Sequence, residues 1–249
     1  GIIKNTIKSS MFLAVLLIGI FGFTKSASAI WTYEAKFNSD LYSVGDLTGQ
    51  QSWSGGTGFD IIATTTDNFE GNQGVYAGTG VAQTITNATL SEGAGVAYLA
   101  IMAKAMGADT SNISYLFYAS TLEAAQFGLR NRSGTLNLEY IIAGVGWGVI
   151  AAATFDDFYI FGFEWSPNQG GAGVHQWRYK WMKEGGTWSA WSGWLDDSQN
   201  TDGTITKVTL SQESTSWNAY YDTITPTDPT AVAATAEPDQ FNTTIFDEL

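Results

Sequence analysis

Five of the ten tryptophans fall between residues 177 and 194, at Trp177, Trp181, Trp188, Trp191 and Trp194, with Tyr179 between the first two. Planar aromatics at this density can stack on the apolar faces of sugar rings, whose hydroxyls are then bonded by nearby amide, carboxylate or guanidinium groups. The spacing predicts a hairpin, with strands at Gln176–Lys183 and 188–194 joined across Glu184-Gly185-Gly186. A period of two places Trp177, Tyr179 and Trp181 on one face and Arg178 and Lys180 on the other. On the second strand Trp188 and Trp194 share a side and Trp191 points the opposite way. One face of such a hairpin is expected to be buried, taking Trp177, Tyr179 and Trp181. The binding candidates are therefore Trp188, Trp191 and Trp194, with Arg178 and Asp196 as polar contacts.

A second constellation follows directly. The run Asp196-Asp197-Ser198-Gln199-Asn200-Thr201-Asp202-Gly203 sets oxygen donors at Asp196, Ser198, Asn200 and Asp202 ahead of a glycine, a donor set suited to calcium. The distal bidentate position of an EF-hand falls on Thr209 if Ser198 is first, so a solvated Asx turn is the competing reading. Other chemistry is narrowed by what the chain contains. There is no cysteine for a thiol nucleophile, disulfide or zinc finger, and the single histidine, His175, lies in Gly170-Gly171-Ala172-Gly173-Val174-His175 with no nucleophile elbow in the chain. A formal charge of −13 disfavours a nucleic-acid partner.

The elements that would position these groups are strands. Charged residues make up 14% of the chain, below the roughly 25% of an ordinary soluble domain, and Gly, Thr, Ser and aromatics take their place. In 30–37, Trp31, Tyr33, Ala35 and Phe37 alternate with polar residues, the signature of a half-buried strand. Further strands are expected at 60–64, 75–76, 82–86, 94–102, 114–119, 126–131, 136–143, 147–152, 158–165, 204–210 and 218–224, separated by Gly, Asn and Ser turns. A short helix is admitted at 120–125. Strands at this spacing without a helical period predict an antiparallel two-sheet β-sandwich.

The two ends read differently. Lys4 and Lys8 precede an apolar run from Met11 to Phe23, followed by Ala27-Ser28-Ala29. Thirteen apolar residues would reach about 20 Å as a helix, short of a bilayer core of about 30 Å. Residues 1–29 are expected to be a signal peptide cleaved after Ala29, which makes the protein secreted or part of the cell envelope, with no membrane span once cleaved. Loss of Lys4, Lys8 and Lys25 leaves eight basic residues against 24 acidic, a net charge of −16. The globular domain is placed at 30–225. Residues 226–249 carry three of the four prolines and no alternation, and are expected to be a linker or extended tail.

The stretch Tyr33-Glu34-Ala35-Lys36-Phe37, then Gly45-Asp46-Leu47-Thr48-Gly49-Gln50 and Trp53, resembles the first strand and loop of secreted concanavalin A-like jelly-roll domains. Phe158 to Pro167, reading Phe-Tyr-Ile-Phe-Gly-Phe-Glu-Trp-Ser-Pro, resembles the paired strands of the lectin and glucanase superfamily, including LamG-like domains. Asn218-Ala-Tyr-Tyr-Asp-Thr-Ile224 resembles the closing strand. The resemblance covers most of 30–225 and marks a fold more than an activity. It implies structural calcium as well.

The superfamily has catalytic members. Retaining glycosidases set two carboxyl groups about 5–5.5 Å apart, and laminarinase-like glucanases place them on alternate residues of one strand. Here Glu34, Glu70, Glu92, Glu123, Glu139, Glu164, Glu184 and Glu213 each lack an acidic residue two positions away. The expectation is therefore a secreted, non-catalytic carbohydrate-binding or adhesion module whose partner is a glycan or cell-surface polysaccharide. The alternatives are a glycoside hydrolase or polysaccharide lyase with dispersed carboxylates, and a structural surface or matrix protein.

Overall fold

The computed structural model describes residues 31–64, 66–78, 83–104, 112–119, 121–142, 146–166, 169, 176–196, 203–213 and 218–230. The expected signal peptide, and the tail from 231 onward, lie outside the described residues. Among the described residues no helix is long and apolar enough to cross a membrane.

Among the described residues, fifteen strands form two antiparallel sheets. In chain order they are β1 (Gly45–Asp46), β2 (Trp53–Gly55), β3 (Phe59–Ala63), β4 (Gln73–Ala77), β5 (Gln83–Asn87), β6 (Gly95–Ala103), β7 (Asn112–Ala119) and β8 (Leu122–Arg132). They continue with β9 (Thr135–Ile142), β10 (Gly146–Ala152), β11 (Tyr159–Ser166), β12 (Gln176–Lys183), β13 (Leu195–Asp196), β14 (Ile205–Gln212) and β15 (Ala219–Thr225). One sheet has eight strands in the order β1-β3-β4-β15-β6-β11-β12-β13, the other seven in the order β10-β9-β8-β7-β14-β5-β2.

The core between the sheets is aromatic because each strand sends every second residue inward. Phe163 on β11 stacks on Phe117 of β7 at 4.8 Å and meets Phe127 of β8 at 5.4 Å, so these rings tie the two sheets together. Trp31 closes one side at 5.8 Å from Phe117. Among the described residues, buried Trp177 Nε1 has no oxygen or nitrogen acceptor. Its indole meets the Phe127 ring edge to face at 5.1 Å. Gly128 on β8 has a different task. A Cβ there would lie 2.0 Å from the Ile113 carbonyl oxygen and 2.7 Å from Ser114 Cβ. Gly128→Ala is therefore expected to force β7 and β8 apart and cost about 1–3 kcal/mol or more; an unchanged urea midpoint would contradict this.

Four expectations are corrected. Residues 31–37 of the expected strand at 30–37 do not form a regular strand: Ala35 alone bridges Ile224, through two 2.7 Å backbone hydrogen bonds, and Phe37 turns into the left-handed region at φ 49°. Trp31, Ala35 and Phe37 are nonetheless buried, as the alternation implied. Residues 122–125 open β8 instead of a helix, because Ala124 and Ala125 are buried in the sheet. Residues 188–194 are not a strand. Lastly, Pro226–Thr230 is packed on the domain, with Pro229 buried and Asp228 capping the turn that follows.

The outward face of the eight-stranded sheet carries a second apolar cluster of Ala100, Met102, Phe158, Ile160, Met182 and Tyr220, covered in part by Phe69 and Trp188. Asp222 of β15 faces the same side and is fully buried. Its carboxylate accepts the backbone N–H of Phe69 at 2.7 Å, Glu70 at 2.8 Å and Thr223 at 2.7 Å, which holds the 66–72 turn onto the sheet.

Candidate functional site

The tryptophan segment adopts a period of three, not two. Ser189 N donates to Trp181 O at 2.8 Å and Ser192 N donates to Tyr179 O at 2.7 Å, so three residues of this segment run beside two of β12. The serine hydroxyls accept from the same residues, Ser189 Oγ from Trp181 N and Ser192 Oγ from Tyr179 N, each at 3.0 Å. In Trp188-Ser-Ala-Trp191-Ser-Gly-Trp194 every third side chain returns to one side. All three indoles therefore lie over the Arg178 and Lys180 face of β12, and the expected opposite orientation of Trp191 is corrected.

Cations alternate with the rings. Arg178 sits 4.6 Å from the Trp194 centroid and 4.9 Å from Trp191, while Lys180 sits 4.1 Å from Trp188 and 5.4 Å from Trp191. Arg178 also donates to Glu164 Oε2 at 2.6 Å. The structure thus brings together Trp188, Trp191, Trp194 and Arg178. Trp191 has a cation near its ring on two counts, so the strip is not a bare stacking platform. Trp177, Tyr179 and Trp181 face the core, as expected.

Asp196 is exposed at the end of β13, where its Oδ1 accepts from Gln176 Nε2. Ser198, Asn200 and Asp202 lie outside the described residues, as does His175. Among the described residues no three His, Asp or Glu side chains gather where they could hold a metal ion.

A polar layer lies on the outward face of the seven-stranded sheet, where Asn112, Ser114, Gln126, Asn137 and Glu139 are buried and Arg130 and Trp147 are partly exposed. The residues that alternate with the core positions of β7, β8, β9 and β14 line up in rows: Asn112, Arg130 and Asn137; Ser114, Gly128 and Glu139; Leu116, Gln126 and Ile141. Thr209 and Ser211 extend them on β14. Gln126 Nε2 donates to Ser114 Oγ at 2.7 Å, and Ser114 Oγ to Asn112 Oδ1 at 3.0 Å. Asn112 Nδ2 then donates to Glu213 Oε2 at 2.5 Å.

Glu139, with a side chain 0% exposed, accepts from Arg132 through both Nε and Nη2, while Arg130 Nη1 stands 3.9 Å away. Hydrogen bonding to Glu139 raises the Arg132 pKa. Two guanidiniums share one carboxylate, and that carboxylate is committed to them. Arg130 lies over the Trp147 ring at 4.6 Å and Lys207 over the Tyr118 ring at 3.6 Å. Burial, and then the nearby Glu123 charge, raise the Tyr118 pKa. The sequence reading missed this face. Its trace in the sequence is the alternation of Gln126, Arg130 and Arg132 with Phe127 and Leu129, and of Asn137 and Glu139 with Leu138.

No family profile and no curated protein sequence matches the chain. Solved structures do match in fold. A bifunctional GH43-CE protein of Bacteroides eggerthii is 13% identical over 78% of this chain and 26% of that chain, with a TM-score of 0.51. The alginate lyase Aly36B, in a mutant complexed with alginate trisaccharide, is 8% identical over 81% of this chain and 100% of that one, TM-score 0.49. The exoplasmic/lumenal domain of VIP36 is 8% identical over 81% and 94%, TM-score 0.44. At these identities the likeness is one of fold: the chain is an all-β, antiparallel two-sheet sandwich of the concanavalin A-like jelly-roll type.

Proposed function

We propose that this chain is an exported glycan-binding module that takes its ligand on the outward face of the seven-stranded sheet. The observation that carries the reading is the partly exposed pair Arg130 and Trp147, set over an ordered and buried polar layer of Asn112, Ser114, Gln126 and Asn137 on rigid strands. Amides, hydroxyls and guanidiniums suit sugar hydroxyls, and side chains already fixed by one another lose little entropy on binding. Glu139 is engaged by Arg132 through both oxygens, which suits it to holding a guanidinium more than to proton transfer, and this favours binding over hydrolysis.

A glycan array with residues 30–249 tests the proposal. Binding to at least one glycan is expected, and Trp147→Ala and Asn137→Ala should each weaken it about tenfold, about 1.4 kcal/mol, while the unfolding midpoint holds. Silence across the array, or full binding by both variants, would sink it.

A further inference from the structure

The inner end of the tryptophan segment forms an aromatic cage around one ammonium. Lys180 Nζ lies 4.1 Å from the Trp188 centroid, 5.1 Å from Tyr98 and 5.4 Å from Trp191. Its stem runs over Gly162, where a Cβ would come within 2.9 Å of Lys180 Cγ, and the side chain is 14% exposed. Trp188 and Tyr98 meet at 5.6 Å and complete the wall. Arg178, the neighbouring cation, is already matched by Glu164.

What fills the open side is the chain's own Asp228–Thr230. Asp228 Oδ2 stands 3.5 Å from Lys180 Nζ, and Thr230 Oγ1 accepts from Trp188 Nε1 at 3.2 Å. The two groups are tied to each other, since Thr230 Oγ1 donates to Asp228 Oδ1 at 2.7 Å. A carboxylate and an adjacent hydroxyl are thus presented as one compact unit to an ammonium, an indole N–H and aromatic rings.

We propose that this strap stands in for an external ligand, a uronic acid residue of an acidic glycan, and that its release opens a second glycan site at Lys180 and Trp188. A uronate offers the same pair of groups, a carboxylate for Lys180 and ring hydroxyls for Trp188 Nε1, on a body whose apolar face suits the aromatic wall. A neutral sugar would leave the enclosed ammonium without its anion. Beside the burial of Pro229, the strap meets the cage through one long ion pair and one hydrogen bond, polar contacts that exchange readily at a partly exposed site. An internal occupant lowers apparent affinity in proportion to the time it is bound. The site lies on the opposite sheet from the face assigned above and stands independently of it.

The test uses residues 30–249 and trigalacturonate, with calorimetry as readout. The Asp228→Asn/Thr230→Val variant should bind at least tenfold more tightly than the parent, and adding Lys180→Met should abolish the gain. Saturating trigalacturonate should also raise amide hydrogen exchange at 226–230 in the parent, a measurement that decides the matter if the Lys180 variant fails to fold. The proposal is overturned if the strap variant binds no better, if the gain survives Lys180→Met, or if exchange at the strap is unchanged. Binding of an acetylated Thr-Asp-Pro-Thr peptide in place of the sugar would instead assign the cage to acidic protein segments and reject the glycan reading.

Discussion

Urea midpoints measured between pH 4 and pH 8 will fall with rising pH more steeply for the parent than for Asp222→Asn. Burial pushes the Asp222 carboxyl up to about 7, against the hydrogen bonds from Glu70, Phe69 and Thr223 that favour its charged form, and the nearby Glu70 charge adds to the rise. The unfolded chain titrates this group near 3.8. Below that value both states hold the proton, and its contribution to stability is intact. Between about 4 and about 7 only the folded state holds it, so every pH unit favours unfolding by about 1.4 kcal/mol, on the order of 4 kcal/mol in all. Above 7 the term is flat. Asparagine keeps an acceptor for Phe69 N and Glu70 N and cannot titrate, so the slope particular to residue 222 vanishes. Other carboxylates are common to both proteins and cancel in the difference. Parallel curves across this window would disprove the assignment.

The second large effect lies in the core. Phe163→Ala should cost about 3–5 kcal/mol, because the ring contacts Trp31, Phe117, Phe127, Trp165 and Trp177, and both sheets lose a shared partner at once. Phe155→Ala, at a ring 38% exposed, should stay within about 0.5 kcal/mol of the parent. Equal losses at the two positions would mean that the paired aromatic core is not what joins the sheets.

Much of this architecture was legible before the structure. The strand at Gln176–Lys183 has the expected bounds, and β10, β11 and β15 fall within one residue of theirs. Alternation is a strong signal where one face is buried. It misled where a third rule competed with periods of 2 and 3.6. At 188–194 small residues between the tryptophans let serine hydroxyls replace ladder hydrogen bonds, and the chain advances by threes. The helix admitted at 120–125 was a matter of propensity, since Leu-Glu-Ala-Ala favours helix, and burial against the opposite sheet decided for strand.

Site residues were harder to find for a different reason. The tryptophans announced themselves by type, and four of the five binding candidates do meet in space. The face around Gln126, Arg130 and Glu139 comes from strands distant in sequence and is assembled only by the register of β7, β8 and β9. Its local trace, polar residues alternating with apolar ones on β8 and β9, is shared by any sheet with one buried face and does not mark a site. The strap at 226–230 was read as linker because proline and threonine dominate it, whereas Pro229 is buried and Asp228 has a specific partner.

The serine contacts along β12 bear on how the protein behaves when crowded. A terminal strand normally offers a row of unused amides and carbonyls on which another chain can grow, the first step toward fibres and swapped assemblies. Here Tyr179 and Trp181 have both groups taken by Ser192 and Ser189. The segment that carries the tryptophans therefore also terminates its sheet, and the template for runaway polymerisation is withdrawn along that margin.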